Sequence, residues 1–319
     1  MIPAQPPQGC AGFTLRIPPM TQSAVPHTAL RFGEALTIDV PGLRLGARAW
    51  GNPDGAPFLA LHGWLDNANT FNRLAPLLPE LNLIALDFAG HGRSDHRAPG
   101  VHYTSFSDVQ DVIAAAEALG FERFGLIGHS MGGAVTSETA GMFPERITQA
   151  ISIDGFVHHQ GSPKDCNDRN KEAILQMLKA SEKKPPVYAS IEAMAERVTQ
   201  ATDQSLAAAS ELVARGHHEV EGGVTWRTDP RIRFATPLRI TERQLDELMA
   251  QSTAPALLIA ATQGDRWYRG GLERRQQHHP NLEVLEMPGP HHLHLEPEHV
   301  DRVAAAIREF LGRHGVLTP

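Results

Sequence analysis

Apolar runs of strand length recur along the chain from residue 56 onward. They are nearly continuous rather than alternating between apolar and polar positions, which is typical of strands covered on both faces of a sheet. The runs span residues 56–63, 81–90, 123–130, 150–156, 254–262 and 282–289. Before them, ALTIDVPGLRLGARAWG at 35–51 consists of short β-prone stretches broken by Gly and Pro, and it predicts an antiparallel strand pair.

Helical patterns lie between several of these runs. Residues 105–120 carry an apolar stripe and stop at Gly120, which is a C-cap signal. Residues 131–143 and 298–315 predict two further helices. Because strands alternate with helices, the chain predicts an α/β fold with a parallel sheet.

The alternation is interrupted between about 157 and 245, where helical patterns occur without a buried-type strand. This insertion begins after the strand that ends near Asp154, and it predicts a mostly helical cap at 157–245. The α/β core then consists of 36–156 and 246–319. Residues 1–35 are rich in Pro, Gln, Thr and Gly without sustained periodicity, and they predict a mobile N-terminal arm.

Composition narrows the class of protein further. The 319 residues are 41% hydrophobic and 20% charged, with a formal net charge of -7, which argues against nucleic acid as the main partner. The two cysteines, Cys10 and Cys166, define no disulfide framework. No apolar stretch reaches the ~20 residues of a membrane span, and the N-terminus lacks the pattern of a signal peptide. We expect a cytoplasmic protein without a membrane span.

The segment Gly128-His129-Ser130-Met131-Gly132 fits the G-x-S-x-G pattern, at the end of a buried run and the start of a helix. At such a point the strand turns sharply and holds the serine out from the edge of the sheet. Side chains two residues on either side would collide with neighbouring backbone, and glycine removes the collision. The helix dipole also favours negative charge at this point. Ser130 is therefore the predicted nucleophile.

A serine hydroxyl needs a base to remove its proton, and the base needs an orienting acid. Histidines follow the last strand in MPGPHHLHLEPEHV, residues 287–300. His291 is the first histidine past Gly289-Pro290, and we predict it as the base, with His292 as the alternative.

Two aspartates compete for the role of the acid. Asp265 comes just after the penultimate strand, the usual location in the order Ser, Asp, His. Asp154 ends the strand that follows the helix predicted over 131–143. We favour Asp265 and keep Asp154 as the alternative.

Attack on a carbonyl places negative charge on its oxygen, and preorganised N–H donors stabilise that charge. The backbone N–H of Met131, directly after the nucleophile, is one predicted donor. The backbone N–H of Trp64, in the loop after the strand FLALHG, is the other.

A histidine cluster can also bind a metal ion. HHLH, however, lacks the spacing of a helical zinc motif, and no Cys or carboxylate pattern completes a ligand set. We therefore predict no metal.

The sequence resembles the α/β-hydrolase superfamily and, more narrowly, the serine hydrolase-like (kraken-like) group. The closer likeness rests on LHGWLDNANTF (61–71), DFAGHGRSDHRAPGVHY (87–103), GHSMGG (128–133) and PGPHHLHLEPEHV (288–300). The resemblance implies an eight-stranded, mostly parallel sheet with a helical cap, a Ser-Asp-His triad and no cofactor.

The same resemblance assigns Ser130 as nucleophile, a histidine in 291–294 as base, and Trp64 and Met131 as oxyanion donors. In the animal members of the narrower group the strand-end aspartate that matches Asp154 is present, whereas the loop that matches Asp265 often lacks an aspartate.

The expected function is hydrolysis of a small-molecule carboxylic ester, or a related acyl compound, through an acyl-serine. Ser130 argues against epoxide hydrolases and haloalkane dehalogenases, which use an aspartate at the nucleophile position. Thioester hydrolysis, lactone opening and carbon-carbon bond hydrolysis use the same triad and stay open. A ligand-binding protein without catalysis is the alternative from another class.

Overall fold

A computed structural model of the chain describes residues 30–162, 164–182, 184–263, 268–279 and 281–317. The strands in these residues are β1 Arg31–Val40, β2 Leu43–Gly51, β3 Pro57–Leu61, β4 Asn82–Leu86, β5 Phe124–His129, β6 Ile147–Ile153, β7 Val187–Tyr188, β8 His217–Val220, β9 Gly223–Trp226, β10 Ala256–Ala261 and β11 Leu282–Met287. The α-helices are α1 Ser105–Ala118, α2 Met131–Met142, α3 Cys166–Leu178, α4 Ile191–Ala201, α5 Leu206–Gly216, α6 Glu242–Gln251, α7 Leu272–His278 and α8 Val300–Arg313. Short 3-10 helices occur at Ala68–Phe71, Ala75–Leu77, Ala180–Glu182 and Pro230–Arg233.

Eight strands form one sheet in the order β1-β2-β4-β3-β5-β6-β10-β11. β1 pairs with β2 and β2 with β4 in antiparallel fashion, and all other pairs are parallel. Every residue of β5 and β10 is buried, as expected for strands covered on both faces. The predicted eight-stranded, mostly parallel sheet is confirmed.

Two apolar cores cover the two faces of this sheet. One contains buried side chains of α1, α2 and α6, and the other contains buried side chains of α8 and the 3-10 helix Ala68–Phe71. The helices therefore flank the sheet on both sides, which is the arrangement that near-continuous apolar strands require.

The first strand begins at Arg31, inside the segment predicted as a mobile arm. β1 is an edge strand, and most of its residues are at least partly exposed, so polar positions weaken its apolar pattern. Residues 1–29 of the predicted arm lie outside the described residues.

The insertion between β6 and β10 contains α3, α4 and α5 together with a three-stranded antiparallel sheet in the order β7-β9-β8. A small apolar cluster joins α4 and α5 to β9. α6 starts at Glu242 and contributes Leu245 and Met249 to the core beside α2. No helix in the described part of the chain is both long and apolar enough to cross a membrane.

The parallel strands all end at the same edge of the sheet. The loops after β3, β5, β6 and β11 carry, in order, Trp64, Ser130, Asp154 and His291. In open α/β sheets this carboxyl edge is where ligands bind. The topology therefore brings four segments that are distant in sequence to one place.

Candidate active site

Ser130 occupies the sharp turn between β5 and α2. Its backbone has φ +52° and ψ -113°, a conformation that L-residues rarely adopt, and its N–H donates to the Ile153 carbonyl at 2.9 Å. A Cβ on Gly128 would lie 2.1 Å from the Gly132 carbonyl oxygen, and a Cβ on Gly132 would lie 2.0 Å from the Leu61 carbonyl oxygen. The predicted collision with neighbouring backbone is confirmed, and it explains why glycine stands on both sides of the serine.

His291, in the loop after β11, reaches Ser130 with one ring nitrogen. Its Nε2 lies 3.0 Å from Ser130 Oγ, and its Nδ1 lies 2.6 Å from Asp154 Oδ2. The neighbouring His292 turns away from Ser130, and its Nε2 lies 3.2 Å from Asp66 Oδ2. Of the two histidines considered for the base, the structure brings His291 to the serine.

Asp154 follows β6 directly and is fully buried, with φ +44°. Its Oδ1 accepts hydrogen bonds from the Ala261 backbone N–H at 3.0 Å and from the Tyr268 hydroxyl at 2.5 Å. Its Oδ2 faces His291 Nδ1, so both carboxylate oxygens have defined partners. Asp265, the aspartate favoured from the sequence, lies outside the described residues.

These contacts select one tautomer of His291. The Asp154 carboxylate only accepts hydrogen bonds, so the ring proton lies on Nδ1. The Nε2 lone pair then faces the Ser130 hydroxyl, which can donate to it. This arrangement can remove a proton from Ser130 Oγ.

The loop after β3 is held by neutral histidines. His62 Nδ1 donates to the Gly63 carbonyl at 2.7 Å, while its Nε2 accepts from the Phe88 N–H at 3.0 Å. Burial lowers the pKa of His62, which agrees with a neutral ring in this role. Leu65, with φ +65°, donates its N–H to His91 Nε2 at 3.3 Å. The backbone on both sides of Trp64 is therefore fixed.

Met131 is the first residue of α2, and the N–H groups of a helix's first turn have no acceptor within the helix. The loop that carries Trp64 follows β3, which is the neighbour of β5 in the sheet. Met131 therefore follows Ser130 directly, and Trp64 lies in the loop after the strand next to β5.

The Trp64 side chain contacts the insertion. Trp64 is 50% exposed as a residue, its Nε1 donates to the Ile232 carbonyl at 3.4 Å, and the Arg233 guanidinium lies 5.5 Å from the ring centroid. The insertion therefore covers one side of the loop after β3.

A second contact ties the insertion to the loop that carries His291. The His291 backbone N–H donates to Asp203 Oδ2 at 3.1 Å, and Glu296 Oε1 accepts the Ser205 N–H at 2.9 Å. Asp203 and Ser205 lie between α4 and α5. Asp203 and Tyr268 did not emerge from the sequence because no motif or spacing rule marks them.

Comparisons with known proteins agree with this architecture. The model of a family described as the alpha/beta hydrolase fold matches residues 56–298. A serine hydrolase-like protein of Danio rerio is 33% identical over 305 residues, covering 89% of this chain and 90% of the relative. Serine hydrolase-like protein 2 of Homo sapiens is 32% identical over 301 residues, covering 86% of this chain and 93% of the relative.

A crystal structure of a hypothetical protein from Pseudomonas aeruginosa PAO1 is 40% identical and superposes with a TM-score of 0.82, covering 88% of this chain and all of that one. A thioesterase domain from the curacin biosynthetic pathway shares the fold at 22% identity, with a TM-score of 0.78 over 87% of this chain and 99% of that one. On the family match and the relatives together, this chain belongs to the α/β-hydrolase superfamily and is a relative of the serine hydrolase-like proteins.

Proposed function

We propose that the protein is a serine hydrolase that cleaves a small-molecule carboxylic ester, or a related acyl compound, through an acyl-serine intermediate. The observation that carries this proposal is the hydrogen-bonded series Ser130 Oγ, His291 and Asp154, with distances of 3.0 and 2.6 Å. A nucleophile, a base and an acid in this order are the parts that acyl transfer needs. The serine hydrolase-like names of the relatives support the assignment.

In the first half of the reaction, His291 Nε2 takes the proton of the Ser130 hydroxyl as Oγ attacks the carbonyl carbon. The negative charge that forms on the carbonyl oxygen is stabilised by the backbone N–H groups of Met131 and Trp64. Losing one such donor typically costs about 2.7–4 kcal/mol of transition-state stabilisation. The protonated His291 then gives its proton to the leaving alcohol, and the acyl-serine remains.

In the second half, water replaces the alcohol. His291 removes a proton from the water as its oxygen attacks the acyl carbon, and then returns a proton to Ser130 Oγ as the acid leaves. Asp154 stays ionised throughout, because its Oδ2 accepts from the imidazolium and holds the ring in one tautomer.

We assign the acid to Asp154 rather than Asp265. The Asp154 carboxylate is fully buried, and its Oδ1 is held by the Ala261 N–H and the Tyr268 hydroxyl. A carboxylate oriented by two donors presents its remaining oxygen to the imidazole without losing side-chain entropy during the reaction.

The proposal is tested with p-nitrophenyl esters of increasing acyl length, with matched acyl thioesters and with a fluorophosphonate that labels activated serines. Ser130→Ala should abolish both turnover and labelling. Ser137→Ala is the matched control: this serine lies two turns further along α2, donates to the Gly133 carbonyl and should leave both signals unchanged.

The outcomes separate the alternatives. Turnover of esters supports an esterase, and preferred turnover of the thioesters supports a thioesterase with the same triad. Labelling of Ser130 without turnover of either means an activated serine with another acyl substrate. Absence of both signals contradicts the catalytic proposal and favours a ligand-binding protein.

A further inference from the structure

A second group of titratable side chains lies beside the proposed triad, and the hydrolysis described above uses none of them. Asp66 follows β3, His129 ends β5 and His292 lies in the loop after β11. These three residues, named the Asp66 cluster, are 6%, 0% and 7% exposed. One nitrogen or oxygen atom from each lies within 4.8 Å of the other two.

The spacing of these atoms fits a small divalent ion. His129 Nδ1 lies 3.3 Å from Asp66 Oδ2, and His292 Nε2 lies 3.2 Å from the same oxygen. In a tetrahedral zinc site with bonds of about 2.0–2.2 Å, neighbouring ligand atoms are roughly 3.3–3.5 Å apart. Two of the three separations in the cluster thus match those between zinc ligands, and the two histidine nitrogens lie within 4.8 Å of each other.

The hydrogen bonding of His129 leaves a lone pair in the cluster. Its Nε2 lies 3.1 Å from the His291 carbonyl oxygen, which only accepts, so Nε2 carries the proton and Nδ1 of the neutral ring carries a lone pair. Among the described residues, Nδ1 has no partner with hydrogen-bond geometry, although it is buried. It faces the Asp66 carboxylate, which also has lone pairs. A cation between the two removes this repulsion.

The neutral tautomer of His129, with its lone pair on Nδ1, is the form of an imidazole that binds a metal ion, and the Asp66 carboxylate offers a second ligand atom 3.3 Å away.

The surroundings also resemble the outer partners of a metal site. A histidine that binds a metal commonly donates its other N–H to a carbonyl or carboxylate, as His129 donates to His291. A Cβ on residue 63 would lie 2.8 Å from His129 Nδ1 and 2.9 Å from Asp66 Oδ2, so Gly63 leaves this side of the cluster open.

We propose that Asp66, His129 and His292 bind one zinc-type divalent ion. Two imidazoles and one carboxylate suit zinc, whereas magnesium and calcium prefer oxygen ligands. The ion joins the loop of Trp64 to the loop of His291, so its effect is to stabilise the relative position of the two loops. The sequence predicted no metal because only His292 of the three ligands belongs to the HHLH run.

The test measures binding of zinc to the Ser130→Ala protein, so its result does not depend on whether the protein hydrolyses esters. Protein stripped with a chelator is dialysed against zinc with a competing chelator, and against cobalt(II), whose visible absorption reports tetrahedral coordination. We expect one ion per chain and a cobalt spectrum of mixed nitrogen and oxygen ligands.

Variants identify the ligands. Asp66→Asn keeps the size of the side chain and His292→Gln keeps a polar side chain, and each should weaken zinc binding by more than the roughly 10–100-fold that is typical for loss of an outer partner. His278→Gln, at a histidine whose side chain is 41% exposed, should change nothing and controls for surface binding.

Absence of a bound ion in the stripped and reloaded protein overturns the proposal. An unchanged affinity in Asp66→Asn, or loss of binding in His278→Gln, also overturns it. If His292→Gln fails to fold by circular dichroism, the isosteric Asp66→Asn alone decides the question.

Discussion

Asp154 shows how the neighbours of a single residue suit it to its proposed role. It follows the strand β6 in a left-handed conformation, and the Ala261 N–H and the Tyr268 hydroxyl hold its Oδ1. The other oxygen is thereby aimed at His291. No feature of the isolated sequence ISIDGF distinguishes this aspartate from one that caps a loop.

We predict that Asp154→Asn lowers kcat by about 10⁴-fold, as loss of the triad acid does in serine proteases. The Asn amide donates to His291 Nδ1 and reverses the tautomer, so that Nε2–H faces Ser130 and cannot accept its proton. The measurement is steady-state hydrolysis of the best ester, with circular dichroism to show that the variant is folded.

Asp265→Asn is the matched comparison for this change, and it should retain activity within about 10-fold. A 10⁴-fold loss in Asp265→Asn combined with a mild effect in Asp154→Asn would show that the acid is Asp265, and our assignment would be wrong.

At the scale of elements, α5 is attached to the core by a buried ion pair. Arg215, whose side chain is 4% exposed, binds Asp87 after β4 with nitrogen–oxygen distances of 2.7–3.0 Å. Asp87 also accepts the N–H groups of Ala68 and Arg93, so its carboxylate holds the loops after β3 and β4 in place. α5 further contacts the loop after β3, where Asn67 Nδ2 donates to the Leu212 carbonyl. One arginine thus connects the insertion to the edge of the sheet that carries the site.

We expect Arg215→Met to lower the free energy of unfolding by about 3–5 kcal/mol, because removing one partner leaves a buried charge without compensation. Urea denaturation measures the effect. Arg313→Met is the control, since its pairs with Glu283 and Glu309 are exposed, and it should change the free energy by less than about 1 kcal/mol. Equal effects of the two substitutions would contradict the importance of the buried pair.

At the scale of the whole molecule, several histidines are buried in the neutral form. Burial lowers the pKa of His62 and His294, and it lowers the pKa of His91 and His129 to about 3. The unfolded chain binds protons at these positions below pH 6.5, whereas the folded chain binds them only at much lower pH. Their contribution to stability is present above pH 6.5 and is lost as the pH falls toward 3.

Asp108 makes the opposite contribution to the dependence of stability on pH. Burial, together with repulsion from Asp111, raises the pKa of Asp108 to about 7. Its contribution to stability is present below the unfolded value of 3.8 and is lost as the pH rises through 7. At pH 5 the unfolded chain alone binds protons at His91 and His129, whereas the folded chain alone binds one at Asp108. The two histidines therefore change the free energy of unfolding more than the aspartate does.

We therefore predict that the free energy of unfolding decreases between pH 6.5 and pH 5. Each proton bound only by the unfolded chain contributes about 1.4 kcal/mol per pH unit. Urea denaturation at pH 7, 6 and 5, with a chelator present, measures this slope. His91→Gln should lower the slope by up to about 1.4 kcal/mol per pH unit, the contribution of one proton. His278→Gln should leave the slope unchanged. A stability that rises toward pH 5 would contradict the prediction.

Several elements could be predicted from the chain alone because their signals are local. The helix predicted over 131–143 is observed as α2, Met131–Met142, and the strand predicted over 254–262 is observed as β10, Ala256–Ala261. The strands β7, β8 and β9 were not predicted, since they have two to four residues and are mostly not fully buried. Short strands of this kind depend on their partners rather than on their own periodicity.

The sequence by itself determined the fold class and the position of the proposed nucleophile, because strand length, burial and the glycines around Ser130 are properties of contiguous residues. Only the tertiary structure decided that His291 rather than His292 reaches Ser130, and that Asp154 and Tyr268 lie behind it. These contacts join residues more than 100 positions apart. Their geometry depends on strand order and loop conformation, which no short segment of the chain encodes by itself.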